Sequence, residues 1–394
     1  MIRSTLAALC GLLLLACGGG GGGQGDLLGD EARRAVLADL GEELILPALR
    51  DFDGRAQTLA GAVATLAAAP DDVQARSQAQ DAWADAILSF QRIEVLQLGP
   101  AAMSGQPGGE NLRDLIYAYP DRVLFQIDCR ALSGSTVDAQ TRIDAMGLGA
   151  LEHLLFNPVD AGAASSDACG DPADPDQARA DYARAVADFI ASRATELHSR
   201  WEPAEGDFLA QWTQGTGAYM KPQDALDALS TALFYVEKDT KDRKIACPTG
   251  IGASGLVCNE ADPTRTELFF SGLSAGALRA NLQAFRDAFT GVNGGMGLND
   301  LLRGIERGDI ADRLLAALDA TLSHLAQEIG EDFEGAVAAI NDPAACTNAS
   351  SSRQGEPAAC ALHGRIKAAM DIFRTEVVGA LSLATPDSAA GDND

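Results

Sequence analysis

The sequence predicts an all-α protein built from two antiparallel helical bundles that pack side by side. Hydrophobic positions recur at helical spacing in eight or more long segments, and no segment carries the pattern of a strand. Aromatic residues make up only 5 % of the chain, whereas alanine and leucine, both strong helix formers, are abundant. Helices joined by loops bury their apolar faces most simply by packing as antiparallel bundles.

Composition limits the classes of function. The chain has 394 residues, 47 % of them hydrophobic, and a formal charge of −26. This hydrophobic content is too high for a disordered acidic chain, and the length suits two domains. The negative charge argues against a nucleic-acid partner, because such proteins present clusters of lysine and arginine. It favours cationic partners, metal ions included.

The N-terminal residues predict an exported, lipid-anchored protein. A positive start with Arg3 precedes an apolar run that is too short to span a bilayer, and the run ends Leu-Leu-Ala-Cys at Cys17. This ending resembles the bacterial lipobox, which implies that a signal peptide over 1–16 is removed and that acyl chains on Cys17 bind a membrane. An ordinary signal peptide with a stray cysteine is the alternative. The glycine-rich segment 17–29 is typical of a flexible tether. The resemblance to bacterial lipoproteins implies, from Gly18 in place of an aspartate, that the protein is sorted to the outer membrane and faces the periplasm or the cell surface.

Breaks in the helical pattern divide the mature chain. A break around Trp201 places the N-terminal bundle over 30–202 and the C-terminal bundle over 203–385, and the polar tail 386–394 is expected to be disordered. The predicted helices are 31–68, 73–98, 111–132, 139–156, 176–200, 205–214, 223–240, 266–290, 298–306, 310–341 and 361–384.

Six cysteines of the exported part are expected to form disulfide bonds. Six cysteines permit many pairings. Sequential pairing is the most economical, since each pair then brackets a loop-like segment, and no Cys-x-x-Cys or Cys/His spacing indicates a metal site. The predicted pairs are Cys129–Cys169, Cys247–Cys258 and Cys346–Cys360.

Two carboxylates interrupt apolar helix faces. At 100° per residue, Glu94 lies about 20° from Trp83 on the helical wheel, inside the apolar stripe. Glu152 has Leu148 four residues before it and Leu155 three residues after it. Burying a carboxylate without a partner costs several kcal/mol, so each of these groups needs compensation.

Two interpretations of these carboxylates stay open. In the first, Glu94 and Glu152 line a metal or cation site, as in carboxylate-lined bundles, and His153 assists. In the second, they form internal salt bridges to Arg130 or Arg142, or accept hydrogen bonds from a helix end.

Two glycines lie in the same predicted helix as Glu152. Gly147 and Gly149 each cost a helix interior about 1 kcal/mol relative to alanine. Their presence therefore suggests that another backbone or a ligand approaches closely. The sequence contains no HExxH or P-loop motif, so the usual helical zinc-protease arrangement and a phosphate-binding loop have no support.

The segments AWADAILSFQRIEVLQLGPA and GLGALEHLLFNP, together with the lipobox, resemble the imelysin family, and more narrowly its predicted periplasmic lipoprotein branch. Two later segments agree, ALFYVEKDTKDRKIACPTG and LFFSGLSAGALRANLQAFRDAFTG, so that the resemblance covers about 30–385. It implies two helical bundles with a cleft between them, and a link to bacterial iron acquisition.

The signature of that family is GxHxxE. Gly147 and Glu152 match it, but Gly149 stands in the position of the histidine, and His153 is displaced by four residues. This departure argues against histidine-dependent peptidase chemistry.

The resemblance also places Arg243 and Lys244 in a recurrent basic spot that faces the cleft, with Gly147 and Gly149 as further cleft residues. We expect a non-enzymatic envelope lipoprotein that binds iron or an iron-bearing ligand, or supports its uptake. Iron or another divalent cation is the expected cofactor. The expected partners are the membrane, through the lipid anchor, and components of iron uptake. A periplasmic or surface metallopeptidase of the imelysin type, and a carbohydrate- or protein-binding module, are the alternatives.

Overall fold

The protein is all-α in its described parts. A computed structural model describes residues 29–157, 169–170, 172–252, 258–342, 346 and 357–386, and within these ranges the regular structure is helical without any strand. The predicted all-α class is therefore confirmed. No helix in these ranges combines the length and the apolar character needed to cross a bilayer. The predicted signal peptide, Cys17, the tether up to residue 28 and the tail from residue 387 lie outside the described residues.

The helices follow the predicted order. The α-helices are α1 (Asp30–Asp39), α2 (Leu46–Ala68), α3 (Val73–Glu94), α4 (Leu112–Ile116), α5 (Leu124–Leu132), α6 (Gly147–Phe156), α7 (Pro175–Trp201), α8 (Phe208–Gln214), α9 (Pro222–Leu233), α10 (Cys247–Thr249), α11 (Ser274–Thr290), α12 (Leu298–Gly304), α13 (Gly308–His324), α14 (Phe333–Ala338), α15 (Ala358–Ile372) and α16 (Val378–Leu381). Stretches with the wider π-helical hydrogen bonding are Leu40–Ile45, Val236–Ala246, Leu325–Ile329 and Phe373–Val377. We call Val236–Ala246 the central π segment.

Helix packing falls into two groups. In the first group, α2 packs along α3 and α7, and α6 packs on α3 and α7. In the second group, α15 packs on α13 and on the central π segment, and α11 packs on α12 and α13. Contact between α3 and α11 joins the groups, and α1 packs on α9. The buried hydrophobic residues form one continuous core across both groups, so the division into bundles at residues 202 and 203 stays a prediction.

Two predicted helices are interrupted near the site described below. The predicted helix 111–132 splits into α4 and α5, because Pro120 lacks an amide hydrogen and a helix does not continue through it. The predicted helix 266–290 begins only at Ser274, since Gly272 adopts a left-handed φ of 68°. The irregular segments 117–123 and 264–273 that result position Arg122, Arg265 and Glu267 at the site.

Buried polar groups and cross-links fix the helices relative to one another. The Trp83 indole of α3 donates a hydrogen bond to the Leu148 carbonyl oxygen of α6 at 2.9 Å, because a buried indole N–H needs an acceptor. This bond joins the two helices that carry Glu94 and Glu152. All three predicted disulfides are confirmed: Cys129–Cys169, Cys247–Cys258 and Cys346–Cys360.

Candidate functional site

A buried cluster of charges lies between α3, α11 and the central π segment. At its centre is the Lys244 ammonium, whose side chain is 1 % exposed. Four oxygen atoms surround its nitrogen: Gln91 Oε1 at 2.8 Å, and Asn281 Oδ1, Glu94 Oε2 and Glu267 Oε1 at 2.9 Å each. An ammonium has only three hydrogens, so these oxygens share its donors. Lys244 was expected on the cleft, but its side chain is buried beneath it.

Glu94 is the carboxylate of this cluster that two cations contact. Its side chain is completely buried, which confirms the inward orientation that the helical wheel predicted. Arg113 Nη2 donates to its Oε1 at 2.7 Å, and Lys244 donates to its Oε2. Burial by itself raises the pKa of such a carboxyl, but the charges of Lys244 and Arg113 outweigh it and hold the pKa of Glu94 below its usual value. The protein therefore neutralises this carboxylate internally.

Glu267 is a second buried carboxyl of the cluster, and the sequence reading missed it. Its Oε1 accepts hydrogen bonds from Gln91 Nε2 and the Tyr117 hydroxyl at 2.9 Å each, besides facing Lys244. Its Oε2 is buried without a partner in the described parts of the chain. Burial raises the pKa of Glu267, and the nearby Lys244 charge does not fully oppose it. The one feature of the sequence that could have indicated a buried carboxyl here is the position of this acidic residue directly before the apolar run 268–270.

Glu152 has separate partners on the other side of the cluster. Arg122 Nη1 donates to its Oε2, and the backbone N–H and hydroxyl of Ser271 donate to its Oε1 at 3.1 and 2.8 Å. Burial raises the pKa of Glu152, and the opposing effects of Arg122 and Ser271 do not cancel it. The Arg122 guanidinium also lies over the Phe270 ring, 5.2 Å from its centroid.

His153 does not join either carboxylate in the described structure. Its Nε2 lies 3.0 Å from Asp128 Oδ1, and its Nδ1 lies 3.2 Å from Asn157 Nδ2. Arg179 donates to the same Asp128 oxygen. The histidine thus belongs to a hydrogen-bonded network between α5, α6 and α7.

These contacts favour the salt-bridge interpretation of the inward carboxylates. No group of three or more histidine, cysteine or acidic side chains that could hold a metal ion occurs within the described ranges. The expected partners, Arg130 and Arg142, are wrong: Arg142 pairs with Asp144 instead. A helical wheel reports which face of a helix is buried but not which irregular segment folds over that face. The cations that pair with the two carboxylates are Arg113, Arg122 and Lys244.

An open cleft of about 280 Å³ lies beside the cluster, between segment 117–122, the first turn of α6 and segment 264–267. Three arginines line it: Arg122, Arg243 and Arg265. Each guanidinium uses one N–H group on a carboxylate, as in the Arg243 pair with Asp239 at 3.0 Å and the Arg265 pair with Asp262 at 3.3 Å. Since a guanidinium has five N–H donors, others remain for a ligand. In a chain of charge −26, this cleft is suited to an anionic group.

Glycine occupies the two positions 147 and 149 of α6 for different structural reasons. Gly147 has a φ of 78°, and a Cβ atom there would lie 2.5 Å from the Ile116 carbonyl oxygen, so a close backbone approach requires glycine. A Cβ atom at Gly149 would make only ordinary contacts, 3.5 Å to Tyr117 and 3.6 Å to Arg122. Gly149 lines the cleft, and its missing side chain leaves room there.

The sequence model of the imelysin family (peptidase family M75) matches residues 45–360. The chain belongs to the imelysin family. In this imelysin-family protein, the two glycines and the glutamate of the GxHxxE region all lie on α6, with Gly149 on the cleft and Glu152 bound to Arg122. The structure therefore brings the signature region and the three arginines together at one place.

Two solved structures resemble the fold. An imelysin-like protein from Psychrobacter arcticum 273-4 has a TM-score of 0.65 at 18 % identity, over 91 % of this chain and 98 % of that one. A protein from Parabacteroides distasonis ATCC 8503, assigned as an iron-regulated protein A precursor, has a TM-score of 0.62 at 14 % identity, over 89 % and 97 %. At these identities the likeness shows the fold. No curated protein sequence matches the chain.

Proposed function

We propose that this imelysin-family protein is a non-enzymatic lipoprotein of the cell envelope that binds an anionic, iron-bearing ligand in the arginine-lined cleft. One observation carries the proposal: Glu94 and Glu152 already bind cations of the protein, whereas Arg122, Arg243 and Arg265 present unused donors to the cleft. A bare cation would have to displace a buried ion-pair partner, and breaking such a pair costs about 3–5 kcal/mol. An anionic chelate meets no such cost.

The chemistry of arginine supports a chelate with carboxylate or similar oxygen groups. Guanidinium binds such groups through paired, charge-assisted hydrogen bonds, which are about twice as strong as neutral ones. The iron part of the proposal draws on the family and on the Parabacteroides distasonis protein of the same fold, which is assigned as iron-regulated. Iron is then the cargo of the ligand, and no residue of this chain needs to ligate it.

The residues present do not fit a metallopeptidase. A catalytic zinc takes three protein ligands and a water. Gly149 replaces the signature histidine, and Glu152 Oε2 accepts a hydrogen bond from Arg122. His153 is held by Asp128 and Asn157 instead. The donor set for that chemistry is therefore not assembled on α6.

The envelope location draws on the sequence and the disulfides. The lipobox ending at Cys17 and the glycine tether predict an anchor on the membrane. The three disulfides suit an oxidising compartment such as the periplasm.

Calorimetric titration of the mature chain tests the ligand. We expect ferric citrate and the redox-inert gallium citrate to bind, and ferrous, zinc and calcium salts not to bind. Arg243→Gln and Arg265→Gln should each weaken binding of the chelates by about tenfold or more, since a charge-assisted hydrogen bond contributes about 1.5–3 kcal/mol.

Arg303→Gln is the matched control. Arg303 is exposed to a similar degree as Arg243 and Arg265, 46 % against 44 % and 40 %, and it also pairs with one carboxylate, that of Asp312. It does not line the cleft, so chelate binding should be unchanged. Absence of chelate binding, or chelate binding that is equal in all three variants, would refute the proposal.

A further inference from the structure

The two oxygens of Glu267 have unequal surroundings. Three donors converge on Oε1, from Gln91, Tyr117 and Lys244, all at 2.9 Å. Oε2 is buried, and no donor of the described chain reaches it. Glu267 nevertheless lines the cleft. A buried oxygen without a partner costs about 1–3 kcal/mol, so this atom is the place where a ligand would gain most from a hydrogen bond.

The charged groups around Glu267 come from every neighbouring element. The central π segment contributes Lys244 to the buried side and Arg243 to the cleft, and α3 contributes Glu94, which competes for Lys244. Segment 117–122 contributes Arg122 and the carboxylate of Asp121, and Arg265 lies in the same irregular segment as Glu267. Tyr117, Tyr119 and Tyr235 are neutral here, because burial raises the pKa of each phenol well above its usual value. Helix α11 contributes two neutral groups, the amide of Asn281, whose Oδ1 accepts a hydrogen bond from Lys244, and the hydroxyl of Ser274, which accepts one from the backbone N–H of Leu268.

We propose that Glu267 determines the specificity of the cleft as a carboxylic acid, whose Oε2–H group donates a hydrogen bond to an oxygen of the anionic ligand beside the arginines. The inference rests on the proposed function and adds that one proton is held at Glu267 when the ligand binds. Because Oε1 already accepts three hydrogen bonds, the proton resides on Oε2. No covalent step is involved.

Two carboxyl groups around one lysine thereby take opposite roles. Glu94 has a second cation, Arg113, and remains charged. Among the described residues Glu267 forms an ion pair with the shared Lys244 alone, and its burial favours the neutral form. A charged Glu267 would repel an anionic ligand. The neutral acid instead donates a hydrogen bond from Oε2–H to the ligand, and Oε2 thereby gains the partner that it lacks. The cleft would then select oxygen anions that can also accept a hydrogen bond at its inner end.

The affinity of the wild type and of Glu267→Gln for ferric citrate between about pH 5 and pH 9 tests this assignment. The glutamine keeps the size, an acceptor for Lys244 and an N–H donor at the Oε2 position, but it does not titrate. We expect wild-type affinity to fall relative to the variant by up to about tenfold per pH unit once Glu267 loses its proton. The ratio of the two affinities at each pH cancels the titration of citrate itself.

Tyr117→Phe is a second variant that keeps the carboxyl group. It removes one donor to Oε1, so the charged form of Glu267 loses a hydrogen bond and the decline in affinity should begin at a higher pH. A ratio of wild type to Glu267→Gln that is independent of pH, or a decline that Tyr117→Phe does not move, would overturn the role of Glu267 while the proposed function stands. If the wild type binds no chelate at any pH, the proposed function fails, and the ligand role of Glu267 fails with it. Thermal melts of both variants establish that they are folded.

Discussion

Glu94 on α3 and Lys244 on the central π segment are 150 residues apart in the sequence and 2.9 Å apart in space. Neither side chain is accessible to water. The neighbouring Arg243 faces the cleft. Of these two adjacent residues of the central π segment, Lys244 therefore belongs to the buried cluster and Arg243 to the wall of the cleft. π-helical turns are rare and often occur at functional sites, and this one connects the two.

Glu94→Gln and Glu152→Gln should differ in their effect on stability. Glu94→Gln leaves Lys244 and Arg113 in a buried site without their shared anion, and we expect a loss of about 3–5 kcal/mol in the free energy of unfolding. Glu152→Gln should change it by less than about 1 kcal/mol, because Arg122 is partly exposed at the cleft and can be hydrated there. Urea unfolding of both variants at neutral pH measures the difference. Equal losses would contradict it.

The pH dependence of these two variants follows from the directions of the pKa shifts. The pKa of Glu94 is lowered, so its contribution to stability is present above the unfolded pKa of about 4.3 and is lost as the pH falls further. The pKa of Glu152 is raised, so its contribution is present at acid pH and is lost as the pH rises through the folded pKa. The deficit of Glu94→Gln should therefore shrink on acidification, whereas that of Glu152→Gln should not shrink.

Alanine substitutions at the two glycines of α6 should separate a backbone requirement from an open space. Gly147→Ala should cost at least about 1–3 kcal/mol, because of its positive φ, and the contact with the Ile116 carbonyl oxygen adds to this cost. Gly149→Ala should be neutral or stabilise the helix by up to about 1 kcal/mol. Thermal melts decide this; a Gly149→Ala variant that is as unstable as Gly147→Ala would show that the space at Gly149 is not free.

The disulfides should differ in the stability they confer. In the chain-entropy model, closing separations of 11 and 14 residues gives about 3 kcal/mol each, and closing 40 residues gives about 4 kcal/mol. Paired serine substitutions should therefore destabilise most at Cys129 and Cys169. Only loss of the Cys247–Cys258 bond should also weaken chelate binding, since Cys247 lines the cleft. Urea unfolding of the three double variants tests the predicted ranking of stability losses, and calorimetry tests which variant has weakened chelate binding.

The predicted lipid anchor depends on a single residue. In cells labelled with a fatty acid, the wild type should incorporate the label and partition into the membrane fraction, and Cys17→Ser should do neither. Cys10→Ser is the matched control, because Cys10 lies inside the predicted signal peptide and should leave labelling unchanged. A mature N-terminus other than Cys17, found by mass spectrometry, would contradict the anchor.

The sequence by itself determined the properties that depend on local pattern. Periodicity predicted the helices and the inward direction of Glu94 and Glu152, because the rotation per residue of a helix is fixed. Loop-like spacing predicted the disulfide pairs. Gly147 and Gly149 were correctly singled out, although only coordinates could separate the close backbone contact of one from the open cleft at the other.

The tertiary structure alone decided which charges meet. Arg113 reaches Glu94 from the short helix α4, and Arg122 reaches Glu152 from the irregular segment 117–123 that interrupts the predicted helix 111–132. Lys244 and Glu267 arrive from the other half of the chain. The direction of a pKa shift, lowered for Glu94 but raised for Glu267, depends on how many cations share the same buried space. That number is a property of packing between distant segments, and it is absent from the local order of residues.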